Sequence, residues 1–173
     1  MSRPVTVVEP GTVKLERLLP GPVERVWAYI TEPGKRARWL AGGDFELRVG
    51  ARIRLDFDNN SLSADKDAPP KYKGREKKSF GGVITRLEPM RLLAHTWTWD
   101  SGDTEVTYEL APRGKDVLLT IVHTRVQGRD ATASVMAGWD VHTGILADIL
   151  NGAEPRLLWR THTKLEQEYG ATL

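Results

Sequence analysis

Three histidines, one tyrosine and one arginine are the side chains of this sequence whose types and positions could carry chemistry. His95 falls in a stretch, Arg91 to Trp99, where the odd positions Leu93, His95, Trp97 and Trp99 share one face of a strand. Tyr108 shares a face with Val106 and Leu110, and His123 shares one with Leu119 and Ile121, although Leu118 and Val122 make the opposite face nearly as apolar. Arg17 lies between Leu15 and Leu19 on an earlier strand. His142 belongs to the stripe Val135, Trp139, His142, Leu146, Ile149, whose three-and-four spacing collects its members on one side of a helix. If all these faces point inward, they enclose an aromatic and aliphatic pocket with a few polar groups, the usual make-up of a small-molecule site. The expected ligand contacts are Arg17, Leu93, His95, Trp97, Trp99, Tyr108, Ile121, His123, Trp139, His142 and Leu146.

A histidine on such a face can orient a ligand by hydrogen bonding, move a proton, or be a hydrogen-bonded core residue. An inward arginine must be paired, reach solvent, or meet an anionic ligand, since burying it alone is costly; at a strand edge its stem would let it snorkel. Other chemistries find little support. The histidines at 95, 123, 142 and 162 form no compact metal-ligand motif, no serine stands in a Gly-x-Ser-x-Gly elbow, and Gly81-Gly82 lacks a phosphate-loop pattern and reads as a bulge or bend. Neither metal nor cofactor is expected.

The elements that must position these residues are legible from turns and periodicity. Thr12 to Leu19 reads as a strand closed by Pro20-Gly21-Pro22, with Pro22 at the first position of a short helix carrying Val23, Val26, Trp27 and Ile30. Pro33 opens a second short helix carrying Trp39 and Leu40, ended by Gly42-Gly43. Strands are predicted at Asp44 to Val49 and Arg52 to Asp58 around Gly50-Ala51, then at Lys73 to Leu87, Arg91 to Trp99, Thr104 to Leu110 and Asp116 to Val126 in a meander. The polar stretch from Asn59 to Tyr72 reads as an exposed, mobile loop. Asp130 is placed to cap a long helix over residues 132 to 151, Gly152 to stop it, and Pro155 to start a last helix through Leu158, His162, Leu165 and Tyr169. Gly138 and Gly144, costly inside a helix, predict close backbone contacts.

At 173 residues the chain is expected to be a single domain with a real core, and the absence of cysteine excludes disulfides, thiolate metal sites and cysteine nucleophiles. A net charge of +2 with interspersed signs gives no basic stripe for nucleic acid; Lys71 to Lys78 is basic but flanked by Asp65, Asp67 and Glu76. Met1-Ser2-Arg3-Pro4 lacks the apolar core of a leader and no stretch has the apolar length of a membrane span, so a cytoplasmic location is expected. Six tryptophans call for large apolar surfaces, in a core or around a pocket.

Three blocks together resemble a known family. They are Arg17-Leu-Leu-Pro-Gly-Pro-Val-Glu-Arg-Val-Trp27 with Thr31-Glu-Pro33 and Trp39-Leu40; Val106 to Leu110 with Leu119 to His123; and Gly138-Trp139 with Leu146, Leu150 and Gly152. Their order and spacing over residues 12 to 169 are similar to the SRPBCC superfamily, which includes START lipid-transfer domains and the birch-pollen allergen, and to its branch named after the activator of the heat-shock-protein-90 ATPase. The resemblance implies an α+β helix-grip fold, a curved antiparallel sheet around a long C-terminal helix, and a hydrophobic ligand held between them. The expected activity is non-catalytic binding of a small hydrophobic or aromatic molecule, with a homodimer left open. The alternatives are a polyketide cyclase or hydrolase using His95 or His123, and an interaction role like that of the chaperone activator.

Overall fold

Alternating burial decides which side of each strand faces inward. Val117, Leu119, Ile121 and His123 are buried while Leu118, Thr120 and Val122 are half-buried, so the odd face of this strand is the inner one. The computed structural model describes residues 4–173; Met1 to Arg3, most of the segment read for a leader, lie outside the described residues. Strands β1 (Val5–Glu9), β2 (Thr12–Pro20), β3 (Arg52–Asp58), β4 (Lys77–Glu88), β5 (Leu92–Trp99), β6 (Gly102–Arg113) and β7 (Asp116–Thr124) form one antiparallel sheet. Its order is β1-β2-β7-β6-β5-β4-β3. Helices α1 (Val23–Thr31) and α2 (Pro33–Arg36) connect β2 to the far edge, and α3 (Arg129–Leu150) and α4 (Leu158–Gly170) close the chain.

Register aligns the inner residues in rows. Leu15 lies opposite Ile121, Ile121 opposite Tyr108, and Tyr108 opposite Leu93; in the next row Val13, His123, Val106, His95 and Ile84 follow one another across the sheet. Helix α3 packs over this face, chiefly on β2 and α4. Its 22 residues span about 33 Å at 1.5 Å each, with Trp139 buried, as the stripe predicts.

Seven strands are expected and seven are found among the described residues, but two differences cancel. Asp44 to Val49 is not a strand: the Arg48 amide donates to the Glu46 carbonyl, curling the chain, and Leu47 and Val49 stay exposed. The edge of β3 is met instead by Gly42, bridged to Asp56, where Gly43 has φ +97° and a Cβ would stand 2.0 Å from the Arg54 carbonyl oxygen. The unpredicted strand is β1, whose four exposed residues out of five give no alternation to read.

Smaller corrections follow the hydrogen bonds. Pro22 is the N-cap of α1, not its first residue, and α2 stops at Arg36, leaving Trp39 and Leu40 in the turn after it. Gly128, with φ +90°, occupies the N-cap of α3, so Asp130 sits in the first turn, where its charge still complements the helix dipole. Strand β4 begins at Lys77, not Lys73. Helix α4 begins at Leu158, not Pro155, because Asp148 holds both the backbone amide and the guanidinium of Arg156 in the connecting segment. Among the described residues no helix is long and apolar enough to cross a membrane.

Candidate functional site

Between the end of β5, helices α3 and α4, and the segment after β3 lies a cavity of about 290 Å³. Its walls are rings. Trp97 stacks on Phe57 at 5.5 Å and on His123 at 5.6 Å, and meets Trp99 at 5.9 Å and Trp139 at 6.1 Å edge to face. Tyr72 stacks on Trp159 at 5.8 Å and meets His162 edge-on at 5.2 Å. Gly138 also lines the space, and a Cβ there would meet nothing within 4 Å. The close contact predicted at Gly138 is therefore absent: the missing side chain leaves cavity volume. At Gly144 a close contact exists, but with a side chain and not with backbone: a Cβ there would stand 2.5 Å from Arg156 Nη1.

The histidines are held in defined tautomers by their partners. Trp139 Nε1–H donates to His123 Nδ1 at 3.1 Å, which leaves the proton on Nε2 to face Thr104 Oγ1 at 2.8 Å; Thr104 in turn donates to the Trp97 carbonyl at 3.1 Å. His95 Nδ1 faces the Thr96 carbonyl at 2.8 Å, so it carries the proton, and Nε2 accepts from the Tyr108 hydroxyl at 3.2 Å. His142 Nδ1 donates to the Trp39 carbonyl at 2.7 Å, leaving Nε2 as a lone-pair acceptor. Burial pushes His95 and His142 down to about 4 and His123 to about 3, the last helped by His95. It also raises the Tyr108 phenol well above its ordinary value.

Against this satisfied background stand buried polar atoms with no partner: Trp97 Nε1, Asn59 Oδ1 and His162 Nδ1. All three residues line the cavity. A buried N–H or C=O left unpaired costs about 1–3 kcal/mol. All three atoms are sealed from water, so they lie behind the cavity wall, and His162 Nδ1 stands 3.9 Å from Glu166 Oε2.

The segment from Asn59 to Tyr72 is fastened to the helices and is not simply exposed. Leu62, Ser63 and Ala68 are buried; Trp159 Nε1–H donates to Asn60 Oδ1 at 2.7 Å, and the Leu158 and Arg160 amides donate to Ser63 Oγ and Asp65 Oδ2. Tyr72 donates to Glu166 at 2.8 Å beside Ser134 at the same distance, and Lys71 pairs with Glu166 at 2.6 Å.

Of the eleven expected contacts, Trp97, Trp99, His123, Trp139 and His142 line the cavity. Leu93, His95, Tyr108, Ile121 and Leu146 face inward as parity requires but are buried in the core outside it, since α3 closes directly on those rows. Arg17 does not line the cavity, and of the three options for an inward arginine the structure shows pairing. It neither snorkels nor faces the cavity: Nη2 pairs with Asp140 Oδ1 at 2.7 Å and Nε donates to Thr143 at 2.9 Å, while Asp140 Oδ2 accepts from Tyr169 at 2.7 Å. Phe57, Asn59, Tyr72, Ser134, Trp159 and His162 also line the cavity and went unread. For Trp159 and His162 a signal exists in the apolar stripe of the last helix; Asn59 and Tyr72 sit in a segment whose composition reads as solvent.

A seven-stranded antiparallel sheet gripped around a long helix, with a ring-lined cavity between them, defines the helix-grip class of α+β protein. The family model for Activator of Hsp90 ATPase homolog 1-like protein matches residues 20–151, and the chain belongs to that family. The protein encoded by gene BPP1335 of Bordetella parapertussis is 37% identical over 99% of this chain and 93% of its own, with a TM-score of 0.81. CalU16 of Micromonospora echinospora shares the fold at 22% identity, over 93% of this chain and 84% of its own, with a TM-score of 0.68. DynU16, from the dynemicin biosynthetic locus, shares it at 23% identity and the same TM-score, over 88% of this chain and 52% of its own. No curated protein matches the sequence.

Proposed function

We propose that this protein binds a small aromatic, largely apolar molecule in the cavity between β5, α3 and α4. The observation that carries this reading is a cavity of about 290 Å³ walled by the rings of Phe57, Tyr72, Trp97, Trp99, Trp139 and Trp159. The rings supply contact area for an aromatic ligand. An apolar cavity of about 150 Å³ holds benzene, so 290 Å³ suits a molecule of about two rings.

A proton-transfer role for His95 or His123 has less support. Both nitrogens of each ring are committed to protein partners, and both rings are held neutral by burial. No particular observation favours a chaperone-activating role. Family membership and the absence of cysteine accord with a cytoplasmic binding protein.

The test uses Gly138. Gly138→Leu should fill the cavity and, because leucine is the better helix former by about 1 kcal/mol, leave stability unchanged or raised. Calorimetric titration with naphthalene should show binding to the parent and none to the variant. Equal affinity in both proteins would place the ligand elsewhere.

A further inference from the structure

The polar groups of the cavity wall divide by depth. Asn59, Tyr72, Trp99 and Ser134 are half-buried and rim its mouth, while Trp97, His123, Trp139, His142, Trp159 and His162 are buried and form its floor. On the floor nearly every polar atom is committed or out of reach. Both His123 nitrogens are engaged, by Trp139 and Thr104, Trp159 Nε1 is bound to Asn60, and Trp97 Nε1 and His162 Nδ1 are sealed behind the wall. The His162 ring also has the Ser134 backbone beside it. His142 differs. Its Nε2 has no hydrogen-bond partner and is not sealed, so its lone pair opens onto the cavity that the ring lines.

That lone pair is held in place from the far side of the ring. Nδ1–H donates to the Trp39 carbonyl at 2.7 Å, which fixes the tautomer. Trp39 is fully buried, and its own Nε1–H donates to the Tyr29 carbonyl at 2.7 Å. The turn that follows it is pinned by the Arg36 guanidinium on the carbonyls of Ala41, Gly42 and Gly43. We infer that His142 is the specificity-determining residue of the cavity: Nε2 accepts a hydrogen bond from an N–H or O–H borne by the deep end of an uncharged aromatic ligand. This rests on the binding reading above and specifies the chemistry of that ligand's inner edge.

A ligand that reaches the floor displaces water from Nε2, and one without a donor leaves a buried acceptor bare. The mouth makes no such demand. The Asn59 Nδ2 and Trp99 Nε1 donors are also unpartnered, but neither is sealed and both residues are half-buried, so water can meet them. Charge is disfavoured at the floor. Among the described residues none lining the cavity is Asp, Glu, Lys or Arg, so a carboxylate would face the His142 lone pair and an ammonium would lie without a counter-charge.

Isothermal titration of the purified protein with indole and benzothiophene tests the assignment, since the two share a fused-ring body and differ by an N–H in place of a sulfur. Benzothiophene is the more apolar of the pair, so the readout is the ratio of the two affinities in the parent and in His142→Phe, which keeps a ring but removes the acceptor. The ratio should move about tenfold toward benzothiophene in the variant, the increment of one hydrogen bond to a buried partner. The variant also strips the Trp39 carbonyl of its donor, so the parent supplies an independent reading: the nuclear magnetic resonance of the His142 Nε2 nitrogen should shift upfield with indole and much less with benzothiophene. An unchanged ratio in a folded variant, a resonance that responds equally to both, or failure of indole to bind where naphthalene does would overturn the role of His142 while leaving the cavity as a binding site. Binding of none of the three would overturn the binding reading itself.

Discussion

Three neutral histidines sealed in one core make stability depend on pH in a window where few other groups titrate. His95, His123 and His142 are each 8% exposed or less, with values pushed down to about 4, 3 and 4. Burial is opposed by the Thr96 carbonyl at His95 and the Trp39 carbonyl at His142, and is reinforced by the Arg36 charge on His95 and by His162 on His142. In the unfolded chain each ring titrates near 6.5. Below that pH the unfolded state takes up protons that the folded state refuses, so stability present above 6.5 is lost as pH falls toward the folded values. Between pH 7 and pH 5 each ring forfeits about 2 kcal/mol, and the three together on the order of 5 kcal/mol, a large share of the ~5–15 kcal/mol typical of a domain. The depressed carboxyls of Asp56, Asp148 and Glu166 begin to matter only below this window, as pH falls past their unfolded values near 4. Urea unfolding followed by far-ultraviolet circular dichroism at pH 7, 6 and 5 measures the slope directly. In His123→Gln, an amide that can accept from Trp139 and donate to Thr104, about a third of the slope should vanish. Equal stability at pH 7 and pH 5 would refute the reasoning, because all three rings would then take up protons inside the fold as readily as in the unfolded chain.

The Arg17–Asp140 pair gives a second expectation. Both side chains are largely buried, so Asp140→Ala should cost about 3–5 kcal/mol by stranding the guanidinium. The double change Arg17→Met with Asp140→Leu should recover most of that in the same urea assay; a loss below about 1 kcal/mol in the single variant would mean that Arg17 is solvated. For the strap over the cavity, Tyr72→Phe removes the hydroxyl bridging Glu166 and Ser134. Amide exchange across residues 59 to 72 should then quicken about fivefold, and unchanged protection would show that the fastening lies elsewhere.

The inner faces of β5, β6 and β7 were readable because a period of two is a local property: once His95 faces inward, so do Leu93 and Trp97. Helix α3 was readable for the same reason at a period near four. What the sequence withheld is how deeply an inward residue sits. Leu93, Ile121 and Leu146 share their faces with Trp97, His123 and Trp139, and only the closing of α3 onto one end of the sheet separates core from cavity. Arg17 shows the same limit, since its partner lies 123 residues away and no local pattern connects them. The segment 59 to 72 misled because its polar side chains bond to α4 and its turns instead of to water.

The indole cluster has an optical consequence. Trp97 lies about 6 Å from both Trp99 and Trp139, at nearly right angles to each, and stacks on the His123 ring at an interplanar angle of 12°. Indoles this close share their excitation, so near-ultraviolet absorption by the three becomes one coupled, chiral transition and not a sum of three. Burial keeps the His123 ring stacked on Trp97 in its neutral form near neutrality. The cavity therefore carries its own chromophores, four of the six tryptophans, while Trp27 and Trp39 lie outside it.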